Sequence, residues 1–322
     1  MKQREYKCHY IMKAYYQKII DSLIPVERIS KKDLDLLLLL SEYIVLLNEQ
    51  IAQISAIGLR AVQKRISILN KKGFIYLRTR SYKMEKGRSE FISSLSEKGV
   101  KLLQNENLID NKIHIEKFTL DDPYNIEHEL LLNWFRVHLN LLPMKIRDLT
   151  TDFISSTTPF LLLKNNGSAL ISENLKQDDR FIEFIPDGVF SIINKEKNKS
   201  LLFFLEVDLG TESLKSSSSN SNNIAAKIKN YRVYFQSQKY KRYETRWNAK
   251  FNGFRLLFLT NSSKRKENIS KLVSAERSND FIWIADQHEM FEKGLGGKIW
   301  TRGGNLFISQ ESILGPRLAF NS

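Results

Sequence analysis

The segment that most restricts the fold of this chain is Leu201-Leu202-Phe203-Phe204-Leu205-Glu206-Val207-Asp208. Five apolar residues in a row read as a buried strand, and the strand ends in two acids. Successive side chains in a strand alternate sides, so Glu206 and Asp208 project to one face. Upstream, Phe181 to Ile193 reads as a strand, a bend at Pro186-Asp187-Gly188, and a second strand. A polar hairpin, Asn194 to Lys199, joins that strand to Leu201–Asp208. Phe254–Thr260 and Asp280–Ala285 read as further strands. A helix over Glu127–Leu142 carries the apolar stripe Leu130, Leu131, Trp134, Val137 and Leu141. From Ile126 onward, then, helices alternate with apolar runs, as in a mixed α/β domain. His128 lies about one turn before Leu131 and His138 at the edge of the stripe; either could face a cleft, but a lone histidine on a helix is more often a structural hydrogen-bonding residue.

The first 105 residues follow a different pattern. Lys31–Ser41 reads as a helix, and Asn48 is placed to cap a short second helix, Glu49–Ile54. A third helix, Ile57–Lys71, has Leu59, Val62, Ile66 and Leu69 on one face and Arg60, Lys64, Arg65 and Lys71 on the other. Gly73 supplies its left-handed stop. A strand at Phe74–Arg78, a basic turn at Arg80–Arg88 and a return strand from Phe91 follow. This is the element order of a winged helix-turn-helix, which places a helix in the major groove and a hairpin on the adjacent backbone. The expected architecture is therefore α+β overall. A winged helix domain with an N-terminal helical extension (1–105) and an acidic connector (106–125) precede a mixed sheet flanked by helices (126–322).

Charge points the same way. The chain carries 50 Lys and Arg against 36 Asp and Glu, a net +14. Residues 51–101 hold +9 of this and residues 232–271 another +9, which leaves the remainder net acidic. Two basic stretches predict a polyanion partner, double-stranded DNA. The expected contacts are Arg60, Gln63, Lys64, Arg65, Lys71, Arg78, Arg80, Lys83 and Arg88 in the first stretch. Lys241, Arg242 and Arg265 are expected in the second, where Tyr240, Tyr243 and Trp247 are interleaved. The longest run of leucines, Leu36–Leu40, is far too short to span a membrane. The glycine-rich stretch 292–304 lacks the Lys-Ser/Thr ending of a phosphate-binding loop, so no nucleotide cofactor is expected. Cys8 is the only cysteine, so neither an intrachain disulfide nor a thiolate metal cluster can form. A cytoplasmic protein is the expectation.

In an antiparallel hairpin the start of one strand lies beside the end of the other. Asp187 and the Glu206/Asp208 pair can therefore converge at one sheet edge. Three carboxylates there would repel one another unless a cation neutralised them, and Mg²⁺ (or Mn²⁺) suits such an oxygen set. An ion pair with a basic residue is the alternative.

Pro186-Asp187, the short hairpin and Glu206-Val207-Asp208 resemble the motif of the PD-(D/E)XK restriction-endonuclease-like superfamily. The longer text Phe204–Ser213, followed by Lys227-Ile228-Lys229-Asn230-Tyr231, resembles the bacterial replication-relaxation family of plasmids and other mobile elements. The resemblance implies a winged helix joined to a nuclease-like core and a role in plasmid replication or DNA relaxation. It makes Asp187, Glu206 and Asp208 metal-binding catalytic residues, and Arg265 matches a recurrent arginine. Asp208 occupies the place where the superfamily expects lysine. Either Lys227, one helical turn before Tyr231, supplies the ammonium from the next helix, or the centre is inactive. The expected function is thus Mg²⁺-dependent DNA cleavage linked to replication or transfer. The alternative is a catalytically inactive DNA-binding regulator. A homodimer or other replication and transfer proteins remain open as partner classes. A relaxase with a covalent tyrosine link is disfavoured, since no histidine triad is apparent.

Overall fold

The computed structural model describes residues 29–80, 90–160, 169–177, 180–214, 223–276 and 278–315. Helix α1 (Lys31–Tyr43) starts where the Ser30 hydroxyl accepts the Asp33 N–H, and it ends at Ile44. A three-residue strand, β1 (Val45–Leu47), follows. Next come α2 (Asn48–Ser55), α3 (Leu59–Lys71), β2 (Ile75–Thr79), β3 (Phe91–Leu95) and α4 (Glu97–Asn105). β3 lies between β1 and β2, antiparallel to both. The order and pairing are those of a winged helix, and Val62, Ile66 and Leu69 of α3 face its core. Gly73 has φ 75°, the left-handed stop expected after α3.

Two details differ from the sequence expectation. β1 was not anticipated, because three apolar residues directly before a helix carry no alternation to reveal a strand. Asn48 opens α2 instead of capping it. The cap position is Leu47, whose N–H is held by the Gln50 side chain at 2.9 Å.

The stretch expected to be a connector is part of the N-terminal body. It contains a 3₁₀ turn (Ile115–Phe118), and Ile109 and Phe118 are buried in the winged-helix core. Helix α5 (Pro123–Lys145) then begins earlier than expected. Asp122 caps it and Pro123, which needs no partner for a missing N–H, fills its first turn. α5 serves both halves. Ile126 and Leu130 pack against Ile44, Val45, Leu47 and Ile92, whereas Leu131, Phe135 and Leu139 pack on the main sheet. The Asn133 amide donates to the carbonyls of Tyr43 and Val45, and Arg136 pairs with Glu42 at 2.7 Å.

The main sheet comprises β4 (Leu149–Ser155), β7 (Gly188–Asn194), β8 (Lys199–Asp208), β9 (Arg255–Thr260), β10 (Ile282–Asp286) and β11 (Thr301–Arg302). Its order is β11-β10-β9-β8-β7-β4. β8, β9 and β10 run parallel; β4, β7 and β11 are antiparallel to their neighbours. A separate hairpin, β5 (Glu173–Gln177) with β6 (Arg180–Phe184), precedes β7. Phe203, Leu205 and Val207 of β8 face α5 and α9 (Gln287–Lys293). Leu202 and Phe204 face α6 (Ile224–Ser237) and α8 (Ser263–Ser274) on the other side. A strand covered on both faces must be apolar throughout, which is why β8 reads as an unbroken apolar run. A short helix, α7 (Tyr243–Trp247), lies between α6 and β9. Among the described residues no helix is long and apolar enough to cross a membrane.

Candidate functional site

The β7–β8 register fixes the centre of the site. Gly188 pairs with Leu205, so the next step along the antiparallel ladder sets Asp187 opposite Glu206. Gly188 is required there by close approach: a Cβ would lie 2.1 Å from the Phe153 ring. Glu206 replaces an apolar side chain on the α6 face of β8, and its side chain is 5% exposed. Lys227 donates to Glu206 Oε2 at 2.9 Å and to Glu212 Oε1 at 2.8 Å. Tyr231, one helical turn further along α6, donates to Glu206 Oε1 at 2.5 Å. Spacing of four residues brings the ammonium and the phenol onto the same carboxylate. An ammonium from α6 thus lies on Glu206, while Asp208 stands two residues after the glutamate.

Asp187 is held from two other directions. Its Oδ2 accepts the Val207 N–H at 2.7 Å and the His128 Nε2–H at 3.2 Å. His128 comes from the first turns of α5 and is flanked by two working acids. Glu127 binds Arg80 at the base of the wing, and Glu129 accepts the Thr157 hydroxyl at 3.1 Å.

The electrostatics follow from burial and close opposite charges. Burial works against charging His128, but Asp187 outweighs it and lifts the imidazole to about 9. Burial also disfavours the Asp187 carboxylate, yet His128, Lys227 and the Val207 N–H together hold it below the ordinary range. Glu206 is pushed up to about 6 by burial and by Asp187, against the pull of Lys227. Burial raises Glu129 to about 7. Lys227 stays cationic because Glu206, Asp187 and Glu212 override its own desolvation. Tyr231 is raised by burial and by Glu206, so it remains a hydrogen-bond donor.

Asp208 does not join this cluster. Arg265 of α8 takes its Oδ2 at 2.8 Å, and the Gly210 N–H takes its Oδ1 at 2.6 Å. Both acids lie on one face of β8, as expected, but the residues over them differ: α6 covers Glu206 and α8 covers Asp208. The expected three-carboxylate metal set is therefore not assembled. Among the described residues no group of three or more His, Cys, Asp or Glu is placed to hold a metal ion. What remains for a cation is the opposed pair Asp187 and Glu206. Glu129 Oε2 and Glu212 Oε2 beside it are buried acceptors without a partner. Two carboxylates are enough for Mg²⁺, which keeps several of its waters.

Of the residues expected on DNA, Arg60, Lys64, Lys71 and Lys241 are exposed and carry no ion pair among the described residues, and Gln63 is half-buried on α3. The others among the described residues are committed within the protein. Arg65 pairs with Asp33 at 2.7 Å, and Arg78 with Asp121 at 2.6 Å and the Leu120 carbonyl. Arg80 is shared by Glu127 and Glu90, Arg242 is bound to the buried Glu173, and Arg265 to Asp208. Lys83 and Arg88 lie outside the described residues. Tyr243 and Trp247 stack on one another and pack beside the sheet instead of presenting free faces.

Sequence reading took His128 for a structural residue and did not single out Glu129 or Glu212. Glu127-His128-Glu129, three polar residues at the start of an otherwise apolar helix, was the available signal. His138 packs against the Trp134 and Phe291 rings.

Fold and site together define a two-part α+β protein, in which a winged helix is fused through one long helix to a mixed sheet with a buried acid–lysine–tyrosine centre. The family model for replication-relaxation matches residues 37–248, more than half of the chain. The chain belongs to the replication-relaxation family. Membership points to a role in plasmid replication or transfer. No curated protein and no solved structure matches it.

Proposed function

We propose that this protein binds double-stranded DNA through α3 and its wing and cleaves a phosphodiester at the centre formed by Asp187, Glu206 and Lys227. The observation that carries this reading is the approach of Lys227 to Glu206 at 2.9 Å, opposite Asp187. It restores, from α6, the acid–acid–lysine set of a PD-(D/E)XK nuclease. Asp187 and Glu206 would hold Mg²⁺ or Mn²⁺, which when bound supplies an activated water and neutralises charge developing on the phosphate. Lys227 keeps a permanent positive charge beside that position. Tyr231 and His128 orient the two carboxylates, each by a hydrogen bond to an acid oxygen.

A second reading rests on a different observation. His128 and Lys227 already neutralise Asp187 and Glu206, and Asp208 is sequestered by Arg265. On that reading the protein is a DNA-binding regulator that has lost the reaction.

The test is conversion of supercoiled plasmid to nicked circles with Mg²⁺ or Mn²⁺, comparing wild type with Asp187→Ala, Glu206→Ala and Lys227→Met. Nicking by the wild type alone supports the nuclease. Equal nicking by all four assigns it to a contaminant and overturns the proposal. DNA binding without nicking selects the regulator. Arg60→Ala and Lys64→Ala should each weaken binding and reduce the salt dependence by about one ion. Unchanged binding in both would remove α3 from the interface.

A further inference from the structure

Glu206 and Asp208 end β8, and the parallel strands β9 and β10 end beside them. The opposite pole of the sheet, where these strands begin, has its own chemistry. The β7–β8 turn and the segment around α7 enclose a groove of about 1040 Å³. Its cations are Lys195, Lys199, Lys241, Arg246 and Lys250, and its acids are Asp152 and Glu244. Both acids are occupied. Asp152 accepts the Trp247 indole N–H at 2.7 Å and faces Arg246 at 3.6 Å, and Glu244 holds Lys250 at 2.8 Å. Among the described residues Lys195, Lys199 and Lys241 are exposed and in no ion pair, and Lys241 feels the Glu244 carboxylate that Lys250 already holds. Five cations against two acids around one concavity leave a positive surplus that raises the local anion concentration.

The groove does not end there. Lys199, Ser200 and Asn252 also line a second hollow of about 700 Å³, which adds Arg255 and Arg302, the latter paired with Asp280 and Glu311 of the same hollow. At its other side Arg246 also lines the cleft against α1. The groove therefore opens toward the winged helix and continues along the starting edge of the sheet.

We propose that this groove is a second DNA subsite, which takes the phosphate backbone of the duplex through Lys195, Lys199 and Lys241. It rests on the reading that the protein binds DNA, and it does not require that the centre cleave. Seven strand residues separate Lys199 from Glu206, about 23 Å at the usual rise. That is roughly seven base pairs of duplex. A duplex gripped in the groove is thus held a fixed distance from the acid centre, and the phosphates bound there are not the ones that meet Glu206.

The experiment is fluorescence anisotropy of the full chain with a labelled duplex across a salt series, repeated with a single strand of the same length. The variant is Lys195→Ala/Lys199→Ala/Lys241→Ala. Two others accompany it: Lys112→Ala/Lys145→Ala/Lys293→Ala, which removes equal charge from exposed sites elsewhere, and the triple Lys→Arg groove variant. All substituted side chains are exposed, and thermal melts check the fold. The expected result is a log–log salt slope on duplex that falls by about 2.7 for the groove variant. The slope should be kept in the arginine variant and change little in the control. A groove variant with the wild-type slope, or no different from the control, overturns the subsite and leaves the α3 interface standing if Arg60→Ala still weakens binding. A loss confined to the single strand overturns the duplex assignment. Absence of any DNA binding by the wild type overturns both readings at once.

Discussion

Replacing Arg265 by methionine separates a structural Asp208 from a catalytic one. Asp208 is 3% and Arg265 11% exposed, and the guanidinium spans from the carboxylate at 2.8 Å to the Glu212 carbonyl at 2.6 Å. Arg265→Met keeps most of the apolar stem but leaves a buried carboxylate without its cation. Loss of one partner from a buried pair costs about 3–5 kcal/mol. The lower half of that range is expected, because the Gly210 N–H still holds Oδ1. Asp208→Asn should cost less, since its amide oxygen can still accept from Gly210. The double variant Asp208→Asn/Arg265→Met should be more stable than the sum of the singles by at least about 1 kcal/mol. The assay is urea unfolding followed by tryptophan fluorescence, with the slope against denaturant monitored for constancy. Plasmid nicking is measured on the same samples at low temperature. A structural Asp208 predicts destabilised Asp208→Asn protein that retains wild-type nicking while folded. A loss below about 1 kcal/mol for Arg265→Met, or strictly additive singles, would refute the ion-pair reasoning. Loss of nicking in fully folded Asp208→Asn would return Asp208 to the metal set.

Other outcomes follow from the same geometry. His128 is raised from 6.5 to about 9 in the folded state, so its contribution is fully present below about pH 6.5 and is lost as pH rises through 9. Wild type should therefore lose stability relative to His128→Asn between those values in urea titrations, and parallel pH curves would contradict the contact with Asp187. Gly188→Ala forces a methyl against the Phe153 ring and should cost about 1–3 kcal/mol, partly recovered by Phe153→Leu. No recovery in the double variant would locate the strain elsewhere. Arg80→Ala should lower stability, because Glu127 is 7% exposed and loses its main partner, while DNA affinity changes little. A large drop in affinity at unchanged stability would restore Arg80 to the DNA interface.

The basic and acidic residues show where sequence stops being informative. Twelve side chains were expected on DNA from their charge and position, and an intramolecular acid claims five of them: Arg65, Arg78, Arg80, Arg242 and Arg265. Three of the claiming acids (Glu127, Glu173 and Asp208) are buried. Charge is a local property of sequence, but its availability depends on partners that for each of the five include an acid 32 to 69 residues away. Lys227 was recognisable because Tyr231 repeats its phase on α6, whereas His128 was not, because nothing local distinguishes a histidine facing a carboxylate from one facing solvent.

Periodicity and turn residues determined the helices and hairpin of the winged helix (though not β1), the buried β8 and the meeting of Asp187 with Glu206, since strand pairing across a short hairpin follows from alternation and turn length. The tertiary structure decided which helix lies over each acid. α6 brings an ammonium and a phenol to Glu206, and α8 brings a guanidinium to Asp208, two residues along the same strand face. Helix packing over a sheet is set by the whole apolar surface of both elements. No motif within β8 could have shown that one acid belongs to the site and the other to the scaffold.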